Sequence, residues 1–120
     1  MNLSQIIKTL VSEIKLTEIQ AKIFLHVVIN GKMNTSKISN DLKISLDDAT
    51  QNSKKLVELG GFIDMPNNEF EAMHPRFTAV NMYRKMCERE QKEFKKNLRI
   101  DNIGVVLETS YDDARTKYNK

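Results

Sequence analysis

The segment from Thr17 to Pro75 alternates helical runs with turns in an order that restricts the folds open to the chain. An apolar helical run begins at Thr17 and stops at Asn30-Gly31. A short helical segment over 35–42 leads into a tight turn, and a second helical run follows and ends at Gly60-Gly61. Two short β-like pieces, 62–65 and 69–73, then flank a Pro-Asn-Asn turn. This order is typical of a winged helix-turn-helix, whose second helix usually enters a DNA groove.

Capping residues indicate where the helices of this segment begin. Thr17 is followed three residues later by Gln20, and Ser45 is followed by Asp48 at the same spacing. Each pair predicts a capping box, in which the first side chain accepts a hydrogen bond from the backbone of the third helical residue. Asn67 and Asn68 predict the tip of a hairpin, because asparagine tolerates the left-handed backbone that such turns need.

Helical patterns also flank the segment on both sides. Apolar residues before Thr17 follow an uninterrupted 3-4 spacing, which predicts a docking helix; they are Leu3, Ile6, Ile7, Leu10, Val11 and Ile14. Pro75 is well placed as the first residue of a last helix, and no helix breaker follows from Arg76 to about Arg99. A seam along this last helix predicts a dimer contact; it consists of Phe77, Val80, Arg84, Cys87, Gln91, Phe94 and Leu98.

We therefore expect a mostly α fold of the α+β class. A winged helix-turn-helix domain with its N-terminal docking helix and a two-stranded wing would occupy 1–75, and a long C-terminal helix and dimerisation segment 76–109. Within the latter, 103–107 is predicted to be strand-like or a short packed segment, and 110–120 a polar tail that frays. The helices offer more apolar faces than one small core needs, which predicts a homodimer through the last helix, helped by the first helix and by 103–107.

Composition excludes several classes of protein. No apolar stretch approaches the roughly 20 residues that span a bilayer, and the N-terminus lacks the pattern of a signal peptide. A single cysteine and two histidines predict a cytoplasmic protein with neither disulfide nor structural zinc. Neither His26 nor His74 has a neighbour in sequence that defines a catalytic triad, and the four glycines form no phosphate-binding loop. We expect no enzyme activity, no metal and no cofactor.

Positive charge is distributed unevenly along the chain. The net charge is +3, yet 61–75, the predicted wing, contains three acids and no basic residue. The segment 76–99 contains eight basic residues against three acidic ones, so the excess lies in the predicted last helix. Basic residues at helical spacing usually form a solvated helix face, which is the main expectation here. The alternative is that some of them contact the phosphates that flank a binding site.

The candidate DNA contacts lie on the two helices of the helix-turn-helix and on the wing. They are Thr35, Ser36, Lys37, Ser45, Asp47, Thr50, Gln51, Lys54, Lys55, Asn67 and Asn68. Glutamine can pair with adenine and lysines can bind phosphates, although the same residues also suit a solvated helix face. Asp47 and Asp48 have an alternative role as partners of the positive helix end, and the two wing asparagines as turn residues.

These residues resemble the TrmB-like winged helix-turn-helix regulators of archaea. The resemblance runs from about Leu3 to Leu98 and rests on four stretches: Leu16-Thr17-Glu18-Ile19-Gln20-Ala21-Lys22-Ile23-Phe24-Leu25, Ser36-Lys37-Ile38-Ser39, Leu56-Val57-Glu58-Leu59-Gly60 and Phe70-Glu71-Ala72-Met73-His74-Pro75. It implies a small dimeric regulator that binds double-stranded DNA and has no ligand-sensing domain, acting in the cytoplasm at the nucleoid. The acidic wing and Asp47-Asp48 favour an alternative, a protein-interaction module that kept the fold and no longer binds DNA.

Overall fold

The structure, a computed structural model, describes residues 1–118, with side chains described as far as Thr116. The fold is mostly helical with a small antiparallel sheet, as the α+β prediction requires. Its elements are α1 (Leu3–Glu13), α2 (Glu18–Asn30), β1 (Met33–Asn34), α3 (Thr35–Leu42), α4 (Leu46–Glu58), β2 (Ile63–Met65), β3 (Glu69–Glu71), α5 (Pro75–Arg89) and α6 (Leu98–Tyr118). None of the helices in this described part of the chain is long and apolar enough to span a membrane.

Helix α2 lies at the centre of the core because it is apolar on nearly every side. Its buried residues contact the other helices and the sheet, and they are Ala21, Ile23, Phe24, Leu25, Val27 and Val28. The ring of Phe24 stacks on Phe62 at 6.1 Å between centroids, and Phe62 in turn contacts Phe70 at 6.0 Å. This row of three rings fixes the hairpin against α2.

The predicted starts of α2 and α4 are confirmed by their caps. The Thr17 hydroxyl accepts from the backbone N–H of Gln20 at 3.2 Å, and the Gln20 side chain accepts from the backbone N–H of Thr17 at 3.0 Å. The Ser45 hydroxyl accepts from the backbone N–H of Asp48 at 3.0 Å. Local hydrogen bonds therefore set where both helices begin.

The sheet has three strands, one more than the predicted two-stranded wing. The order is β1-β3-β2, with Met33 of β1 opposite Phe70 and Met65 of β2 opposite Glu69. The extra strand has only two residues, which is too short for a sequence pattern to reveal. At the hairpin tip Asn67 and Asn68 have φ values of 66° and 59°, so the predicted left-handed backbone is confirmed.

The predicted continuous helix from Arg76 to about Arg99 is wrong. Helix α5 ends at Arg89, Gln91 adopts φ 54°, and the chain turns back before α6 begins at Leu98. The segment 103–107 is helical rather than strand-like, and the predicted fraying tail continues this helix to Tyr118. The rest of that tail, 119–120, lies outside the described residues. Helix α6 packs on α5, α2 and α1, so it shares the core of the N-terminal part.

Gly104 lets α6 approach α5 more closely than any other residue would allow. The buried side chains of Ile100, Ile103 and Leu107 carry the contact to the core. A β-carbon added at Gly104 would lie 2.5 Å from the Cα of Arg76 and 2.9 Å from its backbone nitrogen. Because these neighbours are backbone atoms rather than a flexible side chain, they cannot yield without moving a helix.

Replacement of Gly104 by alanine should therefore destabilise the protein, although alanine favours helices. We expect Gly104→Ala to lower the free energy of unfolding by about 1–3 kcal/mol, measured by urea denaturation. Thr109→Ala, at an exposed position of the same helix, should change it by less than about 0.5 kcal/mol. Equal stability of Gly104→Ala and the parent protein would contradict the close helix contact.

Candidate nucleic-acid interface

Helix α4 presents one face to the core and the other to solvent. Ala49, Ser53 and Leu56 are fully buried on the inner face. The outer face exposes most of the predicted contacts on this helix, namely Asp47, Gln51, Lys54 and Lys55, together with Glu58. Leu46, the first residue of the helix, is apolar but 53% exposed.

The outer face of α4 already contains its own hydrogen bonds and ion pairs. The Gln51 amide donates to both carboxylate oxygens of Asp47, at 3.0 and 3.1 Å. Lys55 pairs with Glu58 at 3.2 Å, whereas Lys54 has no ion pair among the residues that the structure describes. A ligand that approaches this face therefore meets one unpaired ammonium group and a glutamine whose donor is in use.

The two hydroxyl groups predicted as contacts on α4 have local partners. The Thr50 hydroxyl donates to the carbonyl of Leu46 at 2.8 Å, and that of Ser45 is the helix cap. Thr50 is half-buried and Ser45 exposed. Both hydroxyls can still accept a further hydrogen bond, since an oxygen that donates or accepts once retains a lone pair.

Helix α3 supplies the remaining predicted contacts of the helix-turn-helix. Thr35 is buried, while Ser36 and Lys37 are exposed. The ammonium of Lys37 lies 3.1 Å from the carboxylate of Asp41, which also accepts from Nε2 of His26 at 2.8 Å. The hydrogen bond from His26, with that from Lys37, lowers the pKa of the Asp41 carboxyl below its ordinary value. The charge of Lys37 is thus compensated before any ligand arrives.

The three acids of the hairpin are in different environments. Asp64 is exposed, and Glu69 is half-buried beside the tip. Glu71 is half-buried and forms an ion pair with Arg115 of α6. Asn67 and Asn68 are exposed at the tip itself.

A network between α6 and the base of the hairpin was missed by sequence reasoning. Besides pairing with Glu71, Arg115 donates to the carbonyl of Ala72 at 2.7 Å, and its guanidinium lies 4.6 Å from the centre of the Tyr111 ring. Tyr111 contacts His74 at 5.1 Å between ring centroids, and burial raises the pKa of its phenol. The 3-4 spacing of these α6 residues is the signal that would have revealed the network, had this segment been predicted as helix.

One end of this network brings together three groups of metal-ligand type. Ligand atoms of His74, Glu108 and Asp112 lie within 4.8 Å of one another. Nδ1 of His74 accepts from the backbone N–H of Arg76 at 3.2 Å, which leaves the ring proton on Nε2, facing Glu108 at 3.4 Å. Arg76 also pairs with Glu108 at 3.2 Å. His74 thus caps α5 and Glu108 forms an ion pair, so these groups already have partners and are not an open set of metal ligands.

The predicted dimerisation residues do not form one seam, because α5 ends before the last three of them, Gln91, Phe94 and Leu98. Phe77 and Arg84 are exposed, Val80 is half-buried and Cys87 is buried in the chain's own core. Phe94 lies in the turn between the helices, and Leu98, 72% exposed, is the first residue of α6.

Comparisons with known proteins identify no relative. No protein-family model, no curated protein and no solved structure matches this chain.

The Asp41 cluster gives the stability a defined dependence on pH. The pKa of Asp41 is lower in the folded state than in the unfolded state, where it is about 3.9. The ionised carboxylate therefore stabilises the fold above about pH 3.9, and this stabilisation is lost as the pH falls through the pKa of the folded state. Asp41→Asn should therefore lower the melting temperature at pH 7, with a difference that shrinks in acid, below the unfolded value of about 3.9. Asp64→Asn, which removes an exposed carboxylate, is the control. A difference for Asp41→Asn that is the same at both pH values would contradict the ion-pair role.

Proposed function

We propose that residues 1–75 form a winged helix-turn-helix and that the protein is a regulator of transcription that binds double-stranded DNA through α4. The order of helices, the capped turn between α3 and α4 and the hairpin after α4 support the winged fold. The resemblance of the sequence to TrmB-like regulators points in the same direction. The function is inferred from the site, since many winged helices bind no DNA.

The observation that carries the proposal is the outer face of α4. It is solvent-exposed over its length and combines a glutamine, which can read adenine, with two lysines that can bind phosphate. The hairpin tip lies after it in the chain with two accessible asparagines. A regulator of this kind would act as a homodimer, whose two α4 helices address half-sites roughly 34–36 Å apart.

A second function, a protein-interaction module, is favoured by the local electrostatics. Asp47 holds the donor of Gln51, Asp41 compensates Lys37, and Asp64 adds negative charge on the hairpin. A surface of this charge repels phosphate at several points but suits a basic or polar protein partner.

Affinity for DNA should depend on salt if the phosphates are bound by the two lysines. Four phosphate contacts, two from each subunit of the dimer, predict that binding weakens about a hundredfold between 50 and 200 mM salt, measured by fluorescence anisotropy. The double variant Lys54→Glu/Lys55→Glu should weaken binding to all duplexes and remove this salt dependence. Lys95→Glu/Lys96→Glu is the matched control, because it makes the same change of charge in the exposed α5–α6 turn. Equal losses in both variants would argue against α4 as the contact surface.

Sequence preference should depend on Gln51. We expect selection from a random-duplex pool at moderate salt to enrich a defined site, and Gln51→Ala to relax the preference at about one base pair while most of the affinity remains. A pool with no enriched sequence, together with no salt-sensitive binding to bulk DNA, would overturn the DNA proposal and favour the protein-interaction module.

A further inference from the structure

Helix α1 has two apolar faces, of which the core uses one. Ile6, Leu10 and Ile14 point inward and are completely buried. On the outer side Leu3, Ile7 and Val11 form a second row at a spacing of four, and Leu3 remains 53% and Val11 37% exposed. A row at this spacing is one ridge of a helix surface, the element that packs into a groove of another helix.

This outer row borders a groove between α1 and α2. The groove consists of two adjoining depressions of about 530 and 290 Å³, which share Ile7 and Lys22. The first extends past Val11 to Glu18, and the second extends past Leu25, Ile29 and Leu42. We call the two together the α1–α2 groove. No residue of α4 or of the hairpin is among those described as lining it, so a partner seated there leaves the outer face of α4 accessible.

Charges of both signs lie along the α1–α2 groove. Lys8, Lys22 and Glu18 line the same depression, and Lys22 and Glu18 pair at 3.1 Å while both stay more than half exposed. A nucleic acid or an anionic lipid surface would meet the carboxylate of Glu18. In a two-fold contact the same patch faces itself, so a patch that holds both signs can pair lysine with glutamate across the axis.

Two other apolar surfaces fit a second copy less well. Helix α6 of the same chain already covers the inner side of α5, where Ala79, Met82 and Cys87 are buried. The exposed residues Ile63 and Met73 border a depression of only about 130 Å³ beside the hairpin. A copy bound there would obstruct the hairpin.

We propose that the α1–α2 groove is the contact between two copies of this chain, with the two α1 helices crossing at Ile7. Leu3 and Val11 of each copy enter the groove of the other, and Lys8 or Lys22 faces Glu18 across the axis. The inference deepens the proposed function, since it supplies the two-fold axis that a dimeric regulator needs. It is argued from this surface alone and can therefore be tested without DNA.

Sedimentation equilibrium of the full chain tests the contact. At tens of micromolar we expect about twice the chain mass of 13.9 kDa. Val11→Glu should weaken the dimer at least about thirtyfold, because it places a carboxylate in the apolar groove of the partner copy. Its circular dichroism and melting temperature should stay close to those of the parent, since Val11 is partly exposed. Val105→Glu, at a 51% exposed position of α6, is the matched control and should stay dimeric.

Two further variants test the geometry. Ile7→Cys should form a disulfide-linked dimer on oxidation, whereas Ser12→Cys, on the same helix but outside the lining of the groove, should not. Native Cys87 is buried and does not compete. Glu18→Lys alone should weaken the dimer, and mixing it with Lys8→Glu/Lys22→Glu should restore association.

The outcomes separate this contact from the proposed function. A parent protein that is monomeric at tens of micromolar, or a Val11→Glu protein that remains dimeric while Val105→Glu dissociates, overturns the contact. If the protein is monomeric and still selects a DNA sequence, the contact is wrong and the function stands. If the dimer behaves as expected and no duplex is bound, the contact stands and the DNA function fails.

Discussion

The packing of α6 against α5 is the interaction on which the rest of the structure depends. It is made by a glycine whose missing side chain admits the backbone of Arg76, and by three buried aliphatic side chains beside it. The same helix reaches α1 and α2, so it closes a core that α5 and the N-terminal helices would otherwise leave open. At its far end Arg115 binds Glu71 and the carbonyl of Ala72, which fixes the base of the hairpin. One helix therefore stabilises the core and holds the element next to α4.

The parts of the fold that could be predicted are those determined by local chemistry. Thr17 with Gln20 and Ser45 with Asp48 mark helix starts because capping involves only neighbours in the chain, and the hairpin asparagines adopt the backbone that their side chains tolerate. The end of α5 had no such signal, because neither glycine nor proline marks the turn at Gln91. The segment 103–107 resembled a strand because valines and a glycine disfavour helix, and burial in the core overrides that preference.

In the candidate site, too, the local contacts could be predicted from the sequence and the tertiary contacts could not. Helical periodicity is enough to place the candidate contacts Gln51, Lys54 and Lys55 together on an exposed face of α4. The bond between Asp47 and Gln51 is also local, at a spacing of four, and could have been read from the sequence. The compensation of Lys37 could not, since one of the partners of Asp41 is His26, fifteen residues away on α2. Tertiary contacts thus decide how much charge the surface offers.

The surface of the hairpin and of α4 is less negative than a count of its acidic residues indicates. Of the three hairpin acids, Glu71 is paired with Arg115, Glu69 is half-buried and Asp64 is exposed. On α4, Asp47 and Asp48 lie in the first turn, where the helix dipole offsets part of their charge. The balance between DNA and a protein partner therefore depends on Asp47, because its carboxylate both repels phosphate and holds the Gln51 amide. In a duplex with a cytosine at this place, the carboxylate of Asp47 would accept a hydrogen bond from the cytosine amino group. The Gln51 amide could then bind the neighbouring base. A phosphate at the same place would gain neither contact.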